Sequence, residues 1–138
     1  MIPTVITQAL ATGRIRLGAT DTVRDFLFVE DTARGFIAAA TAAGVEGEVI
    51  QVGTGIGTPI HAVVAAVGEI LGRPLVVEAD PDRLRPAASE VDRLVCDAAR
   101  TRRLLGWSPT VEFATGLART VDWIRGHAAR YRPEEYAV

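Results

Sequence analysis

The residues best suited to chemistry fall into two groups, a glycine-rich turn and a pair of loop arginines. The turn reads Gly53-Thr54-Gly55-Ile56-Gly57 and follows the apolar run Val49 to Val52, with Glu78 lying 21 residues beyond Gly57. Strand, glycine turn, helix and a later acid is the order of a dinucleotide site, where glycines let the backbone approach a pyrophosphate and the acid binds a ribose. The spacing departs from that fingerprint. A third glycine would have to stand at position 58, which is Thr58, followed by Pro59. Thr58 instead suits a helix N-cap and Pro59 a first helical residue, so the loop reads better as a structural turn beside a ligand pocket.

Arg24 sits in Thr22-Val23-Arg24-Asp25-Phe26-Leu27-Phe28-Val29-Glu30-Asp31, and Arg85 sits in Asp82-Arg83-Leu84-Arg85-Pro86. A guanidinium presents a planar fork that grips phosphate oxygens in pairs. On spacing alone, two surface or acid-paired arginines explain the pattern as well.

Composition narrows the chemistry. The chain has 138 residues and 49% hydrophobic content, enough for one packed domain. Its 15 basic residues are all arginine, so the chain contains no lysine, and it contains no asparagine. A P-loop lysine, a Schiff-base lysine and a Tyr-x-x-x-Lys acid/base pair are therefore excluded. The net charge of -2 gives no basic footprint for nucleic acid or an anionic membrane. The single cysteine, Cys96, lies in the apolar stretch Leu94-Val95-Cys96 and reads as a buried structural thiol. His61 and His127 stand far apart with no ligand cluster between them, so no metal site is expected. No signal peptide or membrane-length apolar run is legible, which sets the expectation of a cytoplasmic protein.

The elements that must position these residues alternate in type along the chain. Helices are expected from Pro3 to Thr12, from Glu30 to about Ala43, from Thr58 to Leu71 closed by Gly72, from an Asp97 N-cap to Gly106, and from Phe113 to Tyr131. The last should bury Leu117, Val121, Trp123 and Ile124. Strands are expected at Ile15 to Leu17, Glu48 to Val52 and Pro74 to Glu78, with Phe26 to Val29 a second short apolar run of strand type and Val91 to Cys96 extended. The pattern is α/β in a single unit spanning 1–138.

Several stretches, in order, resemble the carboxy-terminal part of extended short-chain dehydrogenases, the NAD-dependent nucleotide-sugar epimerase/dehydratase family. Val23 to Asp31 resembles the Arg-Asp-Phe/Tyr-x-x-Val-x-Asp signature, and Val49 to Gly55 the Asn-x-Gly-x-Gly strand and turn. Leu84 to Asp97 is similar to the diphosphate-binding arginine loop. Leu104-Leu105-Gly106-Trp107-Ser108-Pro109 is similar to a Leu-Gly-Trp-x-Pro landmark, and Thr110 to Trp123 to the Gly-Leu-x-x-Thr-x-x-Trp helix. The run from Arg83 to Val91, with the tail ending Tyr136-Ala137-Val138, is most similar to the 4,6-dehydratase branch acting on nucleotide-activated amino sugars.

The resemblance implies an incomplete Rossmann fold plus a small α/β substrate domain. It implies that Arg24 and Arg85 bind the diphosphate of a nucleotide-diphosphate sugar, and that Gln51 stands where the family has a substrate-facing asparagine. The turn after Arg85 departs from the family pattern, reading Pro86-Ala87-Ala88 in place of Pro-Gly-Asp. In this family the NAD loop and the Tyr-x-x-x-Lys pair belong to the amino-terminal part. Neither is among these residues, whose only tyrosines are Tyr131 and Tyr136. The chain is thus expected to bind no cofactor by itself and to be inactive alone, with residues 30–52 packing on a nucleotide-binding part that it lacks. That exposed face suggests a homodimer or a domain-swapped assembly. An excised piece, a shortened reading frame and a naturally separate chain all fit this reading. Two rivals remain: a stand-alone binding or dimerisation module, and a small flavodoxin-like nucleotide binder built on the glycine loop.

Overall fold

The computed structural model describes residues 1–84, 86 and 89–132. Its elements in chain order are α1 (Ile2–Ala11), β1 (Arg14–Leu17), β2 (Val23–Asp25), α2 (Val29–Thr41), β3 (Gly57–Pro59), α3 (Ile60–Leu71), β4 (Val76–Ala79), β5 (Arg93–Leu94), α4 (Ala98–Leu105) and α5 (Phe113–Gly126). Short 3-10 turns occupy Pro81–Arg83 and Ala128–Arg130. The architecture is α/β, as the alternation of patterns implies.

One core joins three helices to a small parallel sheet. β1 alternates exposed and buried positions, so Ile15 and Leu17 point inward. It pairs in parallel with β4, from Arg14↔Val76 to Leu17↔Ala79. Against it pack Val5, Ile6 and Ala9 of α1, Ile60, Val64 and Val67 of α3, and Leu117, Val121 and Ile124 of α5. Each buried aliphatic side chain of this kind contributes about 1.5–3 kcal/mol relative to exposure. α3 ends where Gly72 adopts φ +66, a left-handed conformation that a side chain would strain.

The second sheet carries the candidate site. Its order is β3-β2-β5, with β2 antiparallel to β3 and parallel to β5. Arg24 therefore lies on the central strand, opposite Thr58 on one side and Leu94 on the other.

Five local expectations need correction. The strand expected at Phe26 to Val29 lies earlier, at Val23–Asp25. There the Val23 N–H meets the Asp92 carbonyl at 2.7 Å, whereas Phe26 to Val29 line an apolar hollow. Glu48 to Val52 forms no strand, because no described strand lies alongside to pair with it. The Gln51 carbonyl instead accepts from the Thr101 hydroxyl at 2.5 Å. Thr58 does not cap α3: it pairs with Arg24 in β3, and the helix starts after Pro59 with no side-chain cap. Trp123 is 50% exposed, because the buried stripe of α5 runs through Leu117, Val121 and Ile124 and leaves it on the flank. There its ring stacks on His127, with centroids 4.3 Å apart. The last helix stops at Gly126, short of Tyr131. The Asp97 cap is as expected, its carboxylate accepting from the Ala99 N–H at 3.0 Å.

Candidate functional site

The site is built on the central strand β2, where consecutive residues turn to opposite faces. Arg24 is partly buried. One Nη donates to the Val23 carbonyl at 2.9 Å and the other to Glu90 Oε1 at 3.1 Å. The two side chains are only 23% and 20% exposed, so this ion pair is shielded more than a surface pair. Glu90 lies just before β5, whose parallel pairing with β2 brings a residue 66 positions away to Arg24.

Asp25 faces the glycine loop. Its carboxylate accepts from the Thr54 N–H at 3.0 and 3.1 Å, the Thr54 hydroxyl at 2.5 Å, the Gly55 N–H at 2.9 Å and the Cys96 N–H at 3.2 Å. The next donor, the Ile56 N–H, is taken by the Thr54 hydroxyl oxygen at 3.0 Å. A Cβ on Gly53 would stand 2.8 Å from Asp25 Oδ2 and 2.3 Å from the Cys96 Cβ, so glycine is required for this close approach. Successive N–H groups of the kind that cradle a phosphate are therefore spent on a carboxylate of the same chain. The residues present do not fit a dinucleotide at this loop.

Gln51 is exposed and lines a different hollow of about 230 Å³, together with Val49, Asp97, Arg100 and Thr101. Arg100 in that hollow is ion-paired with Glu48. Arg85 lies outside the described residues. Of the residues expected to contact a substrate, Arg24 occupies the shielded strand site and Gln51 lines the separate hollow. Glu90 and Asp25 lie inside the quoted motifs without standing out in them. Their signal is long-range pairing, which local spacing does not contain.

An apolar hollow of about 280 Å³ is lined by Ile2, Pro3, Phe26 to Val29, Val111, Phe113, Gly116, Leu117 and Thr120. No titratable side chain lines it. Cys96 is half-buried, and its thiol donates to the Gln51 carbonyl at 3.5 Å. Burial, then the nearby carboxylates of Asp25 and Asp97, push the thiol's pKa above the ordinary value of 9.0. That is the opposite of an activated nucleophile. Among the described residues, no group of three or more His, Cys, Asp and Glu is placed to hold a metal ion. No helix among them is long and apolar enough to cross a membrane.

Comparison with known proteins places this geometry. A family model described as GDP-mannose 4,6 dehydratase matches residues 1–120. A UDP-glucose 4-epimerase of Mycolicibacterium smegmatis is 34% identical over 123 residues, covering 88% of this chain but 38% of that protein. A dTDP-glucose 4,6-dehydratase of Bacillus anthracis, solved in complex with NAD, superposes with a TM-score of 0.84 at 25% identity, covering 97% of this chain and 42% of that one. A UDP-glucuronic acid 4-epimerase of Bacillus cereus, solved with UDP-glucuronic acid and NAD, gives 0.82 at 26% identity, covering 92% and 40%. The chain thus spans about two-fifths of the length of the proteins it matches, and epimerases and dehydratases are both among them.

Proposed function

Because this chain belongs to the GDP-mannose 4,6 dehydratase family, among the nucleotide-sugar epimerases and dehydratases of the extended short-chain dehydrogenases, we propose that it supplies the substrate-binding part of such an enzyme, with Arg24 gripping the diphosphate of a nucleotide-activated sugar. The observation that carries this reading is the shielded Arg24–Glu90 pair. Glu90 meets the guanidinium through one oxygen, so the space beside Arg24 accommodates an anionic oxygen, the group a diphosphate would bring in place of Glu90. Arg85 is proposed as the second diphosphate ligand and Gln51 as a residue near the sugar, both on the sequence resemblance.

In this reading the chain contributes binding energy remote from the reacting carbons. It holds the sugar in a reactive pose rather than moving protons or hydride. The chain holds no lysine for a Tyr-x-x-x-Lys pair, and its glycine loop is filled by Asp25. NAD, which the solved relatives carry, is therefore proposed to be held by parts of the family fold other than these residues. We propose that the chain alone turns over no sugar nucleotide. Residues 30–52 are proposed to pack on the nucleotide-binding part, for which the exposed Phe36, Ile37 and Val49 are suited.

The test is calorimetric titration of the purified 138-residue chain with UDP-, dTDP- and GDP-sugars, beside Arg24→Ala. A charge-assisted contact of about 1.5–3 kcal/mol predicts a loss of roughly ten- to a hundredfold in affinity. Equal affinity in both proteins defeats the diphosphate role. Absence of any nucleotide binding favours the second reading, a dimerisation module, which the exposed apolar side of α2 supports.

A further inference from the structure

We infer that Asp25 is the positioning residue of this site, holding Arg24 and Glu90 together by tying both neighbours of β2 to one carboxylate; this rests on the diphosphate reading of Arg24. The backbone ladder around Arg24 is short. β3 pairs with only three residues of β2 and β5 with two. Both ladders end next to Asp25, whose partner in β3 is Gly57 and whose preceding residue pairs with Leu94. Two-residue pairing specifies register weakly, since few hydrogen bonds resist a slip.

The Asp25 carboxylate continues where those ladders stop. Through Thr54 and Gly55 it holds the loop leading into β3, and through the Cys96 N–H it holds the chain leaving β5. Fixing Cys96 fixes the register of β5, and with it the approach of Glu90 on the other side of β5. Hydrogen bonds to an ionised acceptor are the strong kind, and here several converge on one group. Gly53 permits the arrangement, since its missing Cβ is the space that Asp25 and Cys96 occupy. Arg24 does not touch this network, so Asp25 acts on the site only through strand placement.

The experiment is a double-mutant cycle of Asp25→Asn and Arg24→Ala in the full chain. The probe is UDP, and melting temperature is measured alongside. Asparagine keeps the shape of aspartate but replaces one acceptor oxygen with an amide that faces other donors. A positioning role predicts that Asp25→Asn weakens UDP binding about fivefold or more in the wild-type background. With Arg24 already removed, it should change affinity less than about twofold, because sites coupled in this way are non-additive. A merely structural residue would lower melting temperature in both backgrounds while leaving the UDP coupling at zero, and that result overturns the inference.

A second readout needs no ligand. Hindered rotation of the Arg24 guanidinium appears as split Nη resonances, assigned by their loss in Arg24→Ala, and these should merge in Asp25→Asn. If the wild-type chain does not bind UDP, the diphosphate reading fails and these resonances alone decide the role of Asp25. Unchanged splitting overturns it. Should Asp25→Asn not fold, Thr54→Val removes the hydroxyl that donates to Asp25 at 2.5 Å and accepts the Ile56 N–H, leaves the backbone bonds to Asp25 in place, and is carried through the same cycle.

Discussion

The carboxylate of Asp31 reaches the backbone of Thr110 across 79 residues of chain, accepting its N–H at 3.0 Å. It also accepts the Val111 N–H at 2.9 Å and pairs with Arg34, and it is fully buried. This single group fastens the first turn of α2 to the segment that leads into α5.

A buried carboxylate so completely satisfied makes acid stability a test of the arrangement. Burial pushes its pKa up. The N–H groups of Val111 and Thr110 and the Arg34 guanidinium outweigh that and hold it below the ordinary value of 3.8. A depressed carboxylate stabilises the fold fully above its unfolded pKa, and the gain is lost as pH falls through the lower, folded value. Melting followed from pH 7 to pH 2 should therefore show stability falling below about pH 4. Asp31→Asn should cost about 1–3 kcal/mol at pH 7, because it leaves the buried N–H groups of Thr110 and Val111 poorly partnered. The same variant should flatten the acid limb. A variant that melts with the wild type at pH 7 refutes this role.

Cys96 gives a second titration of opposite sign. Burial first, then Asp25 and Asp97, raise the thiol above its ordinary 9.0, so the thiolate fraction at pH 8 is smaller than in a free thiol. Labelling with a disulfide reagent at pH 8 should therefore run slower than with glutathione, and restricted access slows it further. Asp25→Asn removes the nearer charge and should speed the reaction. Labelling as fast as a free thiol would show that the segment around Cys96 is not held as described.

The same residues show where local sequence is informative and where it is not. Helices α1, α3 and α5 were legible because ten or more residues repeat an apolar stripe and end at glycine or a capping residue. In the second sheet β5 falls inside the expected extended stretch Val91 to Cys96, but β2 and β3 were not legible, because they are three residues long and owe their existence to partners far along the chain. Phe26 to Val29 looked more strand-like than Val23–Asp25, yet the ladder forms where Asp92 can receive the Val23 N–H. At the glycine loop, the missing third glycine pointed to a turn. The physical reason lay out of reach: an aspartate 29 positions away fills the donors. The motif singled out Arg24 but not its partner Glu90, because a pairing 66 residues apart leaves no local mark.

The exposed side of α2 supplies the remaining test. Val29, Phe36 and Ile37 stand at i, i+7 and i+8, one helical face, and are 70%, 65% and 64% exposed. The opposite side of the same helix is closed, with Asp31 buried and Gly35 so tight against Val52 that a Cβ there would approach it to 2.4 Å. Single exposed apolar residues are ordinary, but three on one face of one helix leave an apolar stripe in water that burial would stabilise. For the chain by itself, a second copy is the partner always at hand. Sedimentation velocity at micromolar concentration should therefore show a dimer. Phe36→Ser combined with Ile37→Glu should shift it to monomer without altering the helical circular dichroism, since neither residue contributes to the core. A wild-type chain that sediments as a monomer would set this assembly aside. It would leave the α2 face to the nucleotide-binding part of the family fold alone.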